Sequence, residues 1–109
     1  MKYFKSENMI RGWFVGDFEP TVYKTEACEV AVKTYKVGDY EKSHHHKKAT
    51  EISQVISGKV KMKSIILKEG DIVIISPNES TDFEALTDAR IVVVKIPGAK
   101  NDKYVKLNG

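Results

Sequence analysis

Cysteine, arginine and long apolar runs are all scarce in this chain. Cys28 is the only cysteine, so no intrachain disulfide can form and nothing marks an oxidising compartment. Lying between Ala27 and Glu29, ahead of a strand-like stretch, it reads as a small buried hydrophobe and not as a nucleophile. Arginine occurs only at Arg11 and Arg90, whereas the sixteen lysines are spread along the sequence. Bidentate recognition of phosphates or guanine edges favours arginine, so the net charge of +3 reads as a solubilising surface and no nucleic-acid partner is expected. The longest aliphatic runs, Ile72-Val73-Ile74-Ile75 and Ile91-Val92-Val93-Val94, fall far short of the ~20 residues that cross a bilayer, so no membrane partner is expected either. Met1 to Asn8 carries charge where a signal peptide has its apolar stretch, which places the expected location in the cytoplasm.

What is present is an ordinary globular composition, 41% hydrophobic and 30% charged over 109 residues. A chain of this size hides about two-thirds of its extended surface on folding, enough for one core and too little for two. A single domain over 1–109 is therefore expected, with a barrel over about 29–96, an N-terminal arm 1–28 and a tail 97–109. Turn marks come often: Gly16-Asp17, Gly38-Asp39, Ser57-Gly58, Gly70-Asp71, Pro77-Asn78, Asp88-Ala89 and Pro97-Gly98. Between them, β-branched or alternating segments predict strands near 29–36, 43–47, 51–57, 59–67, 71–76, 82–86 and 90–96, with weaker ones near 13–15 and 21–23. A turn or two before Gly12 is the one helical stretch expected. Strands at this spacing without intervening helices predict an all-β antiparallel sandwich or barrel. The runs 72–75 and 91–94 do not alternate, so both their faces are expected to meet apolar groups. A second subunit is the expected cover, which makes the chain a homodimer.

All three histidines are consecutive: His44, His45 and His46. On a strand, His44 and His46 share a face about 6.5–7 Å apart along the chain and His45 points the other way. Lys47-Lys48-Ala49-Thr50 then leads to Glu51. If those four form a hairpin loop, Glu51 opposes His46 across a ladder and Ser53 opposes His44. Two imidazoles and a carboxylate so placed can coordinate a divalent first-row metal with positions left open. The plainer alternative is an exposed polar strand end in a lysine-rich hairpin. Ser53, Thr50 and Tyr40 are near enough in sequence to partner the remaining imidazole nitrogens. Trp13-Phe14, Phe18 and Tyr23 could stack on a ring or pack in the core, and Lys47-Lys48 could attract an anion or form a solvated tip.

Gly38, five residues, His44, one residue, His46, four residues, Glu51, six residues and Gly58 reproduce the first signature of the cupin superfamily. The chain resembles a small single-domain cupin over residues 29–96. The resemblance implies a jelly-roll barrel of two antiparallel sheets, a site inside its mouth, and His44, His46 and Glu51 as metal ligands. The second signature is partial. Gly70 opens it and Pro77 follows one residue late, but Glu79 and Asp82 stand where the family has a glycine and its last histidine ligand. Asp82 is the expected substitute oxygen ligand, with Glu84 on the same face as the alternative.

Such a donor set suits manganese or ferrous iron, while zinc, nickel and cobalt remain admissible. Three functions are weighed, the enzymatic ones on the strength of the cupin resemblance. The first is a metal-dependent enzyme acting on a small molecule by oxidation, isomerisation or decarboxylation, with Asp82 or Glu84 as a proton acceptor if neither is a ligand. The second is a non-catalytic metal or small-ligand binding protein. The third is a metal-free keto-sugar isomerase or epimerase with His44 or His46 as base.

Overall fold

The computed structural model describes residues 1–105, so 106–109, the end of the expected tail, lie outside the described residues. Ten strands follow a short 3-10 turn over Ser6–Asn8: β1 (Trp13–Val15), β2 (Glu29–Tyr35), β3 (Tyr40–His46), β4 (Thr50–Ser57), β5 (Lys59–Met62), β6 (Ile65–Lys68), β7 (Ile72–Ile75), β8 (Thr81–Ala85), β9 (Ala89–Ile96) and β10 (Lys103–Val105). They form two five-stranded antiparallel sheets of order β1-β2-β9-β4-β7 and β10-β3-β8-β5-β6. From β2 onward every connection but one, the β5–β6 hairpin, passes from one sheet to the other, which is the winding of a jelly roll. β1 and β10, from outside the 29–96 barrel, complete one edge of each sheet.

Alternation along the strands builds the core. Val55 of β4, Val60 and Met62 of β5, Phe83 and Ala85 of β8, and Ile91 and Val93 of β9 all turn inward and are buried in one cluster. Gly58 joins β4 to β5 at φ +83°, and a Cβ there would collide with the carbonyl oxygen of Asp88. Only glycine fits so close an approach at that backbone angle.

Three expectations need correction. The stretch 59–67 is two strands, because Lys63 and Ser64 both adopt positive φ (52° and 68°) and close a two-residue hairpin between β5 and β6. Residues 21–23 form no strand; Tyr23 makes only an isolated bridge to Val15. The expected β3–β4 ladder is absent, because β3 pairs with β8 and β10 while β4 pairs with β7 and β9 in the other sheet.

Candidate metal and ligand site

At the barrel mouth the two sheets hold a deep polar pocket of about 60 Å³, lined by His44 and His46 of β3, Glu51 and Ser53 of β4, and Thr81 of β8, with Met62, Ile91 and Val93 among its apolar walls. Glu51 reaches the histidines across the gap between sheets and not along a ladder, which is the physical correction to the expected hairpin. His46 is buried, and its Nε2 lies 3.4 Å from Glu51 Oε1. The two atoms make no hydrogen bond, and His46 Nε2 is a buried polar atom without a hydrogen-bond partner. The rings of His44 and His46 stand edge to face with centroids 5.6 Å apart.

Backbone carbonyls fix the state of both rings. His46 Nδ1 lies 3.1 Å from the Asp102 carbonyl oxygen and His44 Nδ1 3.0 Å from that of Lys42. A carbonyl only accepts, so each Nδ1 carries a hydrogen, which leaves Nε2 as the nitrogen a metal would take. Burial holds the His44 pKa below its ordinary value, against the raising effect of the Lys42 carbonyl, and so favours the neutral ring. Burial pushes the Glu51 carboxyl up, but the His46 ring, the Lys95 ammonium and the Ser53 hydroxyl, 3.2 Å away, together bring it below its ordinary value.

These directions set how stability responds to acid in protein stripped by a chelator. A group whose folded pKa is depressed contributes fully above its unfolded value and loses that contribution as pH falls through the folded one. His44 therefore gives up its share on acidification below 6.5, and Glu51 below 4.5. Urea midpoints taken from about pH 8 down to about pH 3 should fall in both windows, with His44→Ala flattening the upper and Glu51→Gln the lower. A midpoint unchanged between about pH 7 and pH 5 would contradict the half-buried placement of His44.

The other expected residues separate. His45 turns outward and stacks on Tyr104 at 5.4 Å. Asp82 is not in the site: β8 buries Thr81 and Phe83 inward, so alternation turns Asp82 out, where its Oδ1 accepts the N–H of Lys63 at 2.9 Å. Glu84 shares that outer face and pairs with Lys61 at 3.5 Å. Neither replaces the missing fourth histidine. Tyr40 is exposed and Lys47 lies over the Tyr104 ring at 4.2 Å, both away from the pocket. Of the early aromatics only Trp13 lines the pocket.

Glu41, Tyr35 and Asp102 escaped the sequence reading. Glu41 lines the pocket because β3 carries a bulge: three residue steps from Glu41 to His44 oppose two from Phe83 to Thr81, so both Glu41 and His44 face inward. Tyr35 Oη donates to Glu41 Oε2 at 3.0 Å, and burial followed by the Glu41 charge pushes the phenol up, so it keeps its proton. Asp102 is buried, and its carboxylate accepts the N–H groups of Lys47, Lys48 and Ala49 at 3.0–3.2 Å, clamping the turn after the histidines. Burial raises that carboxyl, and these bonds more than offset it.

Does the donor set fit a divalent ion? Metal–nitrogen and metal–oxygen bonds of about 2.1 Å at tetrahedral or octahedral angles put donor atoms roughly 3.0–3.4 Å apart, the spacing of His46 Nε2 and Glu51 Oε1. Among the described residues no three His, Cys, Asp or Glu side chains meet at ion-holding distances, so an ion would rest first on the His46 and Glu51 pair, with His44 the next donor on the pocket wall. The orphaned Nε2 and the paired carboxylate fit.

No protein-family model matches the chain, and no curated protein does. Solved structures do. An uncharacterised conserved protein with a double-stranded β-helix domain from Klebsiella pneumoniae aligns at 28% identity and TM-score 0.62, over 68% of this chain and 66% of that one, so this chain spans slightly less than two-thirds of it. An RmlC-like cupin from Shewanella frigidimarina aligns at 17% identity and TM-score 0.64 over 72% of each chain. Oxalate decarboxylase from Bacillus subtilis, which has Mn(II) centres, aligns at 20% identity and TM-score 0.63 over 74% of this chain and 24% of that one. The latter two identities speak to the fold alone. Fold and first sequence signature point the same way: the chain has the double-stranded β-helix fold of the cupins and resembles a small one.

Proposed function

We propose that this small cupin is a metal-dependent enzyme acting on a small molecule, with His44, His46 and Glu51 holding a divalent ion, manganese or ferrous iron before zinc, nickel or cobalt. The observation that carries the reading is the buried, unpartnered Nε2 of His46 facing Glu51 at 3.4 Å. An unsatisfied nitrogen in a buried site costs about 1–3 kcal/mol, and an ion shared with the carboxylate removes that cost. When bound, such an ion supplies Lewis-acid polarisation of a substrate oxygen through its open positions. The protein's own groups do the rest. The Asp102 and Lys42 carbonyls orient the two rings, Met62, Ile91 and Val93 narrow the pocket against water, and Tyr35 holds a proton at Oη beside Glu41. Oxidation, isomerisation and decarboxylation are the reaction types this arrangement serves.

Elemental analysis of purified protein tests the reading. Native protein, His45→Ala and Asp82→Ala should each carry about one equivalent of metal, with His46→Ala and Glu51→Gln carrying less than about a tenth of that. Metal retained by the His44→Ala/His46→Ala double variant would reject the assignment.

A metal-free reading draws on the same pair, because an imidazole held at Nδ1 beside a carboxylate is also a general base. Turnover that survives chelation would favour it. The working unit in either case is proposed to be a homodimer formed through the outer face of the β2-β9-β4-β7 sheet.

A further inference from the structure

Three ammonium groups converge where the deep pocket opens outward. Lys33, Lys95 and Lys103 line both that pocket and an adjoining outer groove of about 1010 Å³. Lys95 Nζ lies 5.0 Å and Lys33 Nζ 5.9 Å from the ring centroid of Trp13. Lys33 and Lys103 stand 3.7 and 3.9 Å from opposite oxygens of Glu41, longer than the roughly 2.7–2.9 Å of a tight charged hydrogen bond, and that carboxylate is already accepting from Tyr35. Lys95 is half-buried, and among the described residues it has no carboxylate within ion-pair distance.

The charge balance is therefore positive. Three lysines face two glutamates, a net +1 before the imidazoles are counted. A divalent ion at the histidines would raise that excess. Partly desolvated like charges stay together at a cost unless an opposite charge joins them. The deep pocket admits only a few atoms, whereas the groove is as large as ordinary small-molecule sites. An acid group at the junction with its body in the groove satisfies both volumes.

We propose that the barrel mouth binds a small organic anion by its acid group, a carboxylate or a phosphate ester, gripped by Lys33, Lys95 and Lys103, with the rest of the molecule lying in the groove against Trp13. This names the substrate class of the enzyme proposed above and rests on that reading for turnover, while the binding itself needs only the lysines.

Trp13 is the single tryptophan of the chain, so its fluorescence reports on this junction directly. The experiment titrates full-length protein with malonate and, separately, with inorganic phosphate, at constant ionic strength set by chloride. A saturable change with either anion is expected; malonate alone identifies a carboxylate and phosphate alone a phosphoryl group. Lys95→Met keeps the stem against the indole and deletes the charge, and should weaken binding roughly tenfold or more. Lys103→Met, at a more exposed position, should weaken it in the same direction, and Lys68→Met, on β6 at the opposite edge of that sheet, should not. His46→Ala should still bind, which separates this proposal from the metal assignment. No saturable change with either anion, or native-like binding by both Lys95→Met and Lys103→Met, would overturn it. So would binding that disappears on chelation while the lysine variants bind normally, since the ion and not the lysines would then hold the anion.

Discussion

Asp102→Ala should destabilise the protein by about 3 kcal/mol, lowering the thermal midpoint by roughly 15 °C and metal affinity by about tenfold. The size follows from what one carboxylate does. It takes three backbone N–H groups, those of Lys47, Lys48 and Ala49, and Ala49 is buried. Hydrogen bonds to a charged acceptor are worth about 1.5–3 kcal/mol each, but water can reach the exposed Lys47 and Lys48 amides after truncation, so the sum is discounted. The effect on metal comes from the same residue's carbonyl, which holds His46 Nδ1. Loosening the 102–105 segment frees the ring to rotate without touching a ligand. Asp102→Asn keeps one accepting oxygen and should recover part of the stability. Urea unfolding and metal content of the two variants check the account, and a loss below about 0.5 kcal/mol for Asp102→Ala would show the clamp to be incidental.

Asp102 also shows where sequence reasoning stops. The clamp joins residues 53 to 55 positions apart, and a polar tail contains nothing that says which turn it will cap. His44, His46 and Glu51 were legible because a three-residue histidine run followed by an acid leaves few arrangements. All three line one pocket, by a different route from the one expected: β3 and β4 lie in opposite sheets, and the carboxylate crosses the interior to reach the His46 ring. Strict alternation puts Glu41 on the wrong face, because a bulge is invisible without its partner strand. The same alternation, applied to β8 in its true register, removes Asp82. There the family pattern misled where local geometry did not.

The all-β class was readable from turn spacing and β-branched segments, and strand positions mostly agree within a residue or two of the structure. Of the exceptions, the one at 59–67 is instructive. A two-residue hairpin with both φ positive usually announces itself with Asn-Gly or Gly-Gly, whereas this chain uses Lys63-Ser64. Jelly-roll winding was legible only through the resemblance, since composition cannot say which strands share a sheet.

Ile74→Lys should convert the proposed homodimer to a monomer. On the outer face of the first sheet, strand register places Ile74, Ile52, Val94 and Val30 in one row across β7, β4, β9 and β2, and Ile72, Gln54, Val92 and Val32 in the next. Seven of these eight are aliphatic, and Ile72 and Ile74 are 62% and 66% exposed. Fully burying an isoleucine contributes about 1.5–3 kcal/mol, and a two-fold interface uses each side chain twice. A lysine at 74 would likewise appear twice, setting two desolvated like charges in an apolar contact at several kcal/mol, enough to weaken association by about a thousandfold or more. Light scattering at micromolar concentration should give the native protein a mass twice the 12.3 kDa of one chain and the variant a mass of one. Ile66→Lys, equally exposed at 63% but on the other sheet, should remain dimeric. A monomeric native protein would remove the assembly, and a dimeric Ile74→Lys would move it to another face.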